Sequence, residues 1–475
     1  RYKVQKMAFI FYDLETTGLS PEFDQALQFA ALKTDNHFNQ IDSFRLRCQL
    51  APHIVPSPEA LLVNHVAPSM LTDSRLPPYY EAWRAVQAKF AEWSPAVFVG
   101  YNSIRFDENF LRQGFFQTLQ PVYLTNTSGN ARGDIMKVVH ASTIYTPGVL
   151  EIPTNENGET NYKLDRLAPA NGYSSGDQHE AMADVKATLF LAHLVRKRAQ
   201  PIWDAMARWT RKQQVFDFLT QEDWVWHSGI FGRKAYSWRV TYCGRNVEQD
   251  SQLAVFDLQF DPQELLTLSV EKLITVLNAS PKRIRALPAN RQPILMPSNS
   301  APSGAPGLKI SEREVQRRIK LVRDSAGFQQ RVSKALARRY PEEKSSQFVE
   351  QRIYDGFPTR GDEEIMEKFH SSDWDENVKL LQGLQDERMR ELGQRLVHLQ
   401  QPKALPKSLK ARLDCWLTER ILTKDPDVPW MTVPKALSEV DRLLAGAKEL
   451  KEKRFLSDVR SFVGDLRRRR LPVRT

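Results

Sequence analysis

The run at residues 7–13, Met-Ala-Phe-Ile-Phe-Tyr-Asp, is apolar until it stops at a carboxylate, and a second carboxylate, Glu15, follows two positions later. Such a run reads as a strand whose end carries charge. The pattern recurs at residues 96–101, which lead through Asn102 to Asp107 and a helix-like segment at 108–116. A third segment, 181–195, places Met182, Val185, Leu189 and Ala192 at spacings of three and four, the period of a helix with one apolar face. Alternation of strand and helix patterns over the first ~200 residues predicts an α/β domain.

At 475 residues the chain exceeds what one hydrophobic core supports, so two to four domains are expected, with three as the working number. Apolar residues make up 41% and aromatic residues 10%, enough to exclude a disordered chain. No stretch approaches the roughly 18 apolar residues of a membrane span, and residues 12–28 are acidic and polar where a signal sequence would be apolar, so a cytoplasmic location is expected. Cys48, Cys243 and Cys415 fit no zinc spacing and are expected to be buried thiols of a reducing compartment. The chain begins at Arg1, not methionine, which reads as native residues missing ahead of it.

The pattern changes after about residue 200. Short runs rich in β-branched and aromatic residues between 224 and 260, notably 235–243 and 252–260, predict a small β domain. Residues 296–307, dense in Pro, Ser and Gly, predict a flexible surface loop. Residues 311–340 are helical and basic: nine Lys or Arg between 313 and 339 stand against two acids, beside a whole-chain formal charge of +10. That excess suits either a solvated helix face or a polyanion-binding surface. From 348 onward the pattern is almost wholly helical. The domains are therefore set at 1–200, 201–347 and 348–475, with the four arginines at 467–470 as a solvated end.

The chemistry-bearing residues sit at the edges of the α/β elements. Asp13 and Glu15, two apart on a strand, point to the same side of the sheet. Like charges so placed are costly unless divalent cations lie between them, and an all-oxygen donor set suits Mg²⁺ or Mn²⁺ better than zinc. Gly100-Tyr-Asn-Ser-Ile-Arg-Phe-Asp107 puts a third carboxylate at a helix start, where capping is the ordinary role of Asp. His179-Glu-Ala-Met-Ala-Asp184 adds an imidazole in a loop and a carboxylate in the first turns of the next helix.

Taken in order, Asp-x-Glu, Asp and His-x₄-Asp resemble the DEDD superfamily of exonucleases in its histidine-bearing (DEDDh) variant. The segments Gln28-Phe-Ala-Ala-Leu-Lys-Thr-Asp35, Leu164-Asp-Arg-Leu-Ala-Pro-Ala-Asn-Gly172, His227-Ser-Gly-Ile-Phe-Gly232 and Ile353-Tyr-Asp-Gly-Phe357 are similar to segments of the bacterial exonuclease I family, in all three domains. The resemblance implies a ribonuclease H-like exonuclease domain with a mixed five-stranded sheet, an SH3-like β domain and a C-terminal all-α domain, together forming a groove for the strand. It implies 3′ to 5′ digestion of single-stranded DNA to nucleoside 5′-monophosphates in DNA repair and recombination, by a nucleoid-associated monomer. It also implies docking of the acidic C-terminal tail of the single-stranded DNA-binding protein, for which residues 313–339 are one candidate surface. Lys163 stands where the family has arginine and Thr17 where it has an aromatic, which weakens a substrate contact without removing a metal ligand.

The expected mechanism uses two Mg²⁺ ions about 4 Å apart, with Mn²⁺ as substitute. Asp13, Glu15 and Asp184 would hold the ion that activates a water, and His179 would take the water's proton. Asp13, with Asp107 directly or through water, would hold the ion facing the departing 3′-oxygen. Glu15, Tyr101, Asn102, Arg105 and Lys163 are the expected substrate contacts, with aromatic faces stacking on bases. Two alternatives remain: an exoribonuclease or proofreading enzyme of the same superfamily, and a catalytically silent nucleic-acid-binding scaffold.

Overall fold

The computed structural model describes residues 7–174, 180–305, 310–340 and 345–470. Strands β1 (Ala8–Thr16), β2 (Ala26–Thr34), β3 (Gln40–Arg47), β4 (Ala96–Gly100) and β5 (Ala131–Asp134) form one sheet in the order β3-β2-β1-β4-β5. β1 is antiparallel to β2 and parallel to β4, so the sheet is mixed, as expected. β1 is central, and its alternating side chains enter two different cores. Phe11 packs with Leu32, Val99, Met182 and Val185 beneath the helices Ile135–Tyr145 and Ala181–Arg198. Ile10, Tyr12 and Leu14 pack with Trp83, Phe90 and Phe110 beneath the helices Tyr79–Trp93 and Asp107–Gln117. Burial on both faces is what an apolar run without alternation encodes. Strand parity therefore places Asp13 and Glu15 on the Phe11 face, the side from which Ala181–Arg198 approaches.

The second sheet is entirely antiparallel, in the order β10-β6-β7-β8-β9, with β6 Val225–Phe231, β7 Lys234–Arg245, β8 Gln252–Asp257, β9 Ile284–Pro288 and β10 Ile294–Pro297. The sequence pattern located β6 to β8 and missed β9 and β10. Both are short and bounded by proline, the residue that ordinarily argues against a strand. β10 also corrects the loop expected at 296–307: Met296 is a buried strand residue, and irregular backbone starts at Ser298. The helices Gln200–Arg208 and Lys212–Gln221 lie between the two sheets, where Trp203, Met206, Val215 and Leu219 share a core with Trp226, Val240 and Leu295. The helices Glu312–Arg323 and Ala326–Ala337 cover the other face of the second sheet through Val315, Phe328 and Val332.

From Arg360 to Arg470 the chain is helical, as its composition predicts. These helices bury two apolar clusters against the first domain, one on Tyr80, Phe116 and Leu119 and the other on Val55, Leu61 and Leu71. Cys48 and Cys243 are buried, but Cys415 is exposed, contrary to expectation. It lies on the helix Lys407–Leu422, which buries Leu413 and Leu417 and leaves Cys415 outward. Among the described residues no helix is long and apolar enough to cross a membrane.

The helix that begins with Asp107 is set against its neighbour by one close approach. A Cβ at Gly114 would lie 2.2 Å from ring carbons of Trp83, which is itself buried in the core of the first sheet. Gly114→Ala is expected to lower unfolding stability by about 1–3 kcal/mol, the usual cost of overpacking. Denaturant unfolding measures this, and an unchanged midpoint would mean that Trp83 moves aside freely.

Candidate active site

Asp13 and Glu15 leave the same face of β1, and Asp184 reaches them from the first turn of the helix Ala181–Arg198. One carboxylate oxygen from each lies within 4.8 Å of the other two. Among the described residues this is the one acidic cluster with metal-ligand spacing, and its donors are all oxygens. A Mg²⁺ ion with ligands at about 2.1 Å needs opposing oxygens about 4.2 Å apart, so small side-chain rotations would close the set. The donors therefore fit a hard divalent cation. Without one, burial and the charges of Asp184 and Asp107 push Glu15 up to about 8. Burial raises Asp13 well above the usual carboxylate range, with further contributions from Asp107, Glu15 and Asp184.

Asp107 is not one of these three and is buried. It is not the cap that its position at a helix start suggests: the cap position is Phe106, which offers no side-chain bond. The Asp107 carboxylate instead accepts from the Leu14 backbone N–H at 3.2 Å, tying it to the segment between Asp13 and Glu15. Burial raises it to about 7 despite that hydrogen bond. His179 lies outside the described residues; in sequence it precedes the Asp184 helix by two positions.

The expected substrate contacts divide. Arg105 and Lys163 are exposed and available. Tyr101 is half-buried against the core, and its hydroxyl donates to the Tyr162 carbonyl. Asn102 holds a left-handed backbone at φ 59°, and its N–H donates to Asp134 at 2.9 Å, so this residue shapes the turn into Asp107. Thr17, the other departure from the family pattern, is fully buried and bonds Asp24 at 3.0 Å, which fixes the loop after β1.

Several features near the site were not legible in the motifs. Glu108, beside Asp107, is buried and accepts from Arg132, Arg112, Thr125 and the Tyr12 hydroxyl. A cavity of about 610 Å³ opens beside Glu15, walled by Leu19, Asn64, Phe106 and, from the C-terminal region, Trp430 and Lys435. Leu19 is 83% exposed, and an outward apolar residue four positions after Glu15 was the signal available for this cavity. On the second sheet, Phe231, Tyr236 and Trp238 share one face. Tyr236 and Trp238 are stacked 4° from parallel, and the Arg285 guanidinium lies 3.8 Å from the Trp238 ring centre. Arg233 joins this hairpin to the first domain by an ion pair with Glu159.

The basic stretch is largely structural. Arg323 donates to Thr241 and to the carbonyls of Leu219 and Thr220. Arg318 caps the Leu258 and Gln259 carbonyls, Arg331 the Leu268 carbonyl and Arg339 the Leu277 carbonyl, while Arg317 pairs with Asp261 and Glu314. Arg313, Lys320, Lys334 and Arg338 are exposed.

Residues 10–191 match the family described as Exonuclease, of the RNase T type. The chain carries an exonuclease domain. Exodeoxyribonuclease I of Escherichia coli strain K12 is 28% identical over 379 residues, 76% of this chain and 79% of that protein. The fold of E. coli exonuclease I solved with a dA16 oligonucleotide superposes with a TM-score of 0.82 at 23% identity, covering 97% of this chain and all of that one. A solved SSB/exonuclease I complex with an inhibitor superposes with a TM-score of 0.81 at 24% identity, covering 97% of this chain and 100% of the other. The likeness to exonuclease I thus runs through all three regions and well beyond the nuclease domain.

The buried carboxylates make a signed prediction for the exonuclease domain. Their raised values mean that the metal-free folded state binds more protons than the unfolded chain between the ordinary carboxylate range and about 7 to 8. Stability must therefore fall as pH rises through that window. Asp13→Asn removes one repelling charge, so in EDTA it should raise the melting temperature at pH 8 and leave it nearly unchanged at pH 5, while eliminating activity. Equal shifts at both pH values would show that the carboxylates do not repel one another.

Proposed function

We propose that the chain hydrolyses single-stranded DNA from the 3′ end, releasing nucleoside 5′-monophosphates with two Mg²⁺ ions. The observation that carries this is the convergence of Asp13, Glu15 and Asp184 within 4.8 Å, with Glu15 also lining the adjoining cavity. When bound, such ions polarise the scissile phosphate and lower the pKa of a water.

The chain's own residues supply the rest. Asp13, Glu15 and Asp184 hold the first ion, and Asp13 with Asp107, directly or through water, holds the second. His179, placed by sequence just ahead of the Asp184 helix, accepts the attacking water's proton, a role worth about 10²- to 10⁴-fold. Leu19 and Phe106 give the terminal nucleotide an apolar wall, and Trp430, in the connection between the helices Lys407–Leu422 and Val433–Gly446, closes that wall. Arg105 and Lys163 neutralise phosphates near the site. Farther back, the Phe231, Tyr236 and Trp238 face offers rings for bases, with Arg285 and Arg233 beside them. The named oligonucleotide complex of the related exonuclease I supports the choice of DNA. The named SSB complex supports the acidic tail of the single-stranded DNA-binding protein as a partner, for which Arg313, Lys320, Lys334 and Arg338 are the free cations of the basic stretch.

The test is digestion of single-stranded DNA labelled at either end, beside a matched RNA. The expected result is Mg²⁺-dependent loss of 3′ label first, no activity in EDTA, little action on RNA, and no measurable activity for Asp184→Ala. Wild-type rates for Asp184→Ala, or release of 5′ label first, would reject the reading. Phosphate neutralisation also predicts that DNA affinity, measured by fluorescence anisotropy, falls steeply with added salt; a flat response would rule it out.

A further inference from the structure

The segment Ala289–Arg291 connects β9 and β10 of the second sheet, and with the following Gln292 it docks on β5 and on the helix Ile135–Tyr145 of the first domain. Gln292 is 3% exposed and holds a left-handed backbone at φ 46°. A non-glycine residue persists in that conformation only when its surroundings over-determine it. Both ends of its side chain are committed: the carbonyl oxygen accepts from the Asp134 N–H at 2.7 Å, and the amide nitrogen donates to the Met206 carbonyl at 2.9 Å. Its neighbours dock beside it, with Lys137 donating to the Arg291 carbonyl and Arg132 to the Asn290 carbonyl at 3.4 Å.

What this loop grips is the underside of the motif that ends in Asp107. Asp134 closes β5, and its Oδ1 accepts from Asn102 at 2.9 Å and from Met136 at 3.0 Å. Asn102 makes the left-handed turn that carries the chain from β4 toward Asp107. Arg132, on the same strand, donates to Glu108 at 2.9 Å, and Glu108 also accepts from Tyr12, the residue before Asp13. The residues adjoining two of the four carboxylates are thus bonded to each other and, through Arg132, to a strand held by Gln292.

We propose that Gln292 is a positioning residue for the nuclease reaction: by holding β5, it fixes the turn that sets Asp107 against Leu14, so the second domain is part of the apparatus that shapes the metal site. This rests on the metal-dependent reading above. The physical need is clear. Asp107 follows an irregular connection of six residues, 101–106, and is tied at its head to Leu14, whereas Mg²⁺ demands near-ideal geometry. Supports behind a metal ligand typically govern about 10- to 100-fold in metal affinity or activity.

The test uses the full chain with Gln292→Asn and Gln292→Ala. Asparagine keeps the preference for a left-handed backbone but is one methylene too short to span Asp134 and Met206; alanine removes both bonds. Mn²⁺ binding by calorimetry, independent of turnover, should weaken about tenfold in Gln292→Asn. For single-stranded DNA, kcat should fall about 10- to 100-fold and the Mg²⁺ concentration for half-maximal rate should rise, while KM for DNA stays close to wild type and Gln292→Asn, though less stable, remains folded at the assay temperature. Unchanged Mn²⁺ affinity in folded variants would overturn the proposal, as would losses that merely track the fraction unfolded. If wild type bound Mn²⁺ but digested no DNA, the nuclease reading would fail, and the calorimetric comparison would still decide the role of Gln292.

Discussion

The mutual repulsion of Asp13, Glu15, Asp107 and Asp184 is the constraint around which this molecule is built. Four carboxylates drawn from three parts of the chain are packed together, and for Asp13, Glu15 and Asp107 burial alone disfavours the charged form. The fold must hold them together at a cost and offer them a cation as relief. It does so by placing two of them on the central strand of a sheet buried on both faces, where the Phe11 and Tyr12 cores oppose any local retreat. β1 cannot slip by one residue without exchanging Asp13 for Tyr12 and inverting both cores. The register that packs the domain is therefore the register that builds the site.

That coupling explains why so much was legible in the sequence. Asp13 and Glu15 announce themselves because strand parity is local, and Asp184 because a helical period fixes its turn. The α/β class of the first domain and the helical C-terminal third follow from patterns that extend over many residues, whereas the mixed sheet was implied by the family resemblance. What escaped was set by contacts between distant segments. Nothing in the local sequence distinguishes Asp107 as a helix cap from Asp107 as an acceptor for Leu14. Tyr101 stands out in the sequence only because it adjoins a motif, and the bond from its hydroxyl to the distant Tyr162 carbonyl is seen only in the fold. β9 and β10 are too short and too rich in proline to be seen without the neighbours they pair with. His179 lies outside the described residues, so its place rests on sequence alone.

The charge of the chain shows most clearly how composition and structure part company. A net of +7 over residues 313–339 reads as a polyanion footprint, but five of its nine basic side chains are bonded to carbonyls or paired with acids within the second domain. Arginine suits this work because its planar fork can satisfy several carbonyls at once, where lysine offers only a point charge. The guanidinium of Arg323 joins the C-terminal end of Lys212–Gln221 to β7, satisfying backbone oxygens that the helix leaves without partners. The helix Glu312–Arg323 is basic, in large part, because it is a set of clamps.

On the proposed function, phosphate contacts would fall to cations outside these clamps, and their placement would give the strand a path. Arg105 and Lys163 are exposed, while Arg233, at the hairpin of β6 and β7, is joined through Glu159 to the connection leading to Lys163. Beyond that hairpin lie the stacked rings of Tyr236 and Trp238, with Phe231 58% exposed beside them. An exposed aromatic cluster of this size is hard to justify by stability, since Phe231 gives up burial to stand in water. A strand that is neutralised at Lys163 and stacked on this face would cross the boundary between the first two domains. The enzyme then needs that boundary to be rigid, and the ion pair at Arg233, the Tyr145–Ser228 hydrogen bond of 2.7 Å and the grip of Gln292 on β5 all brace it.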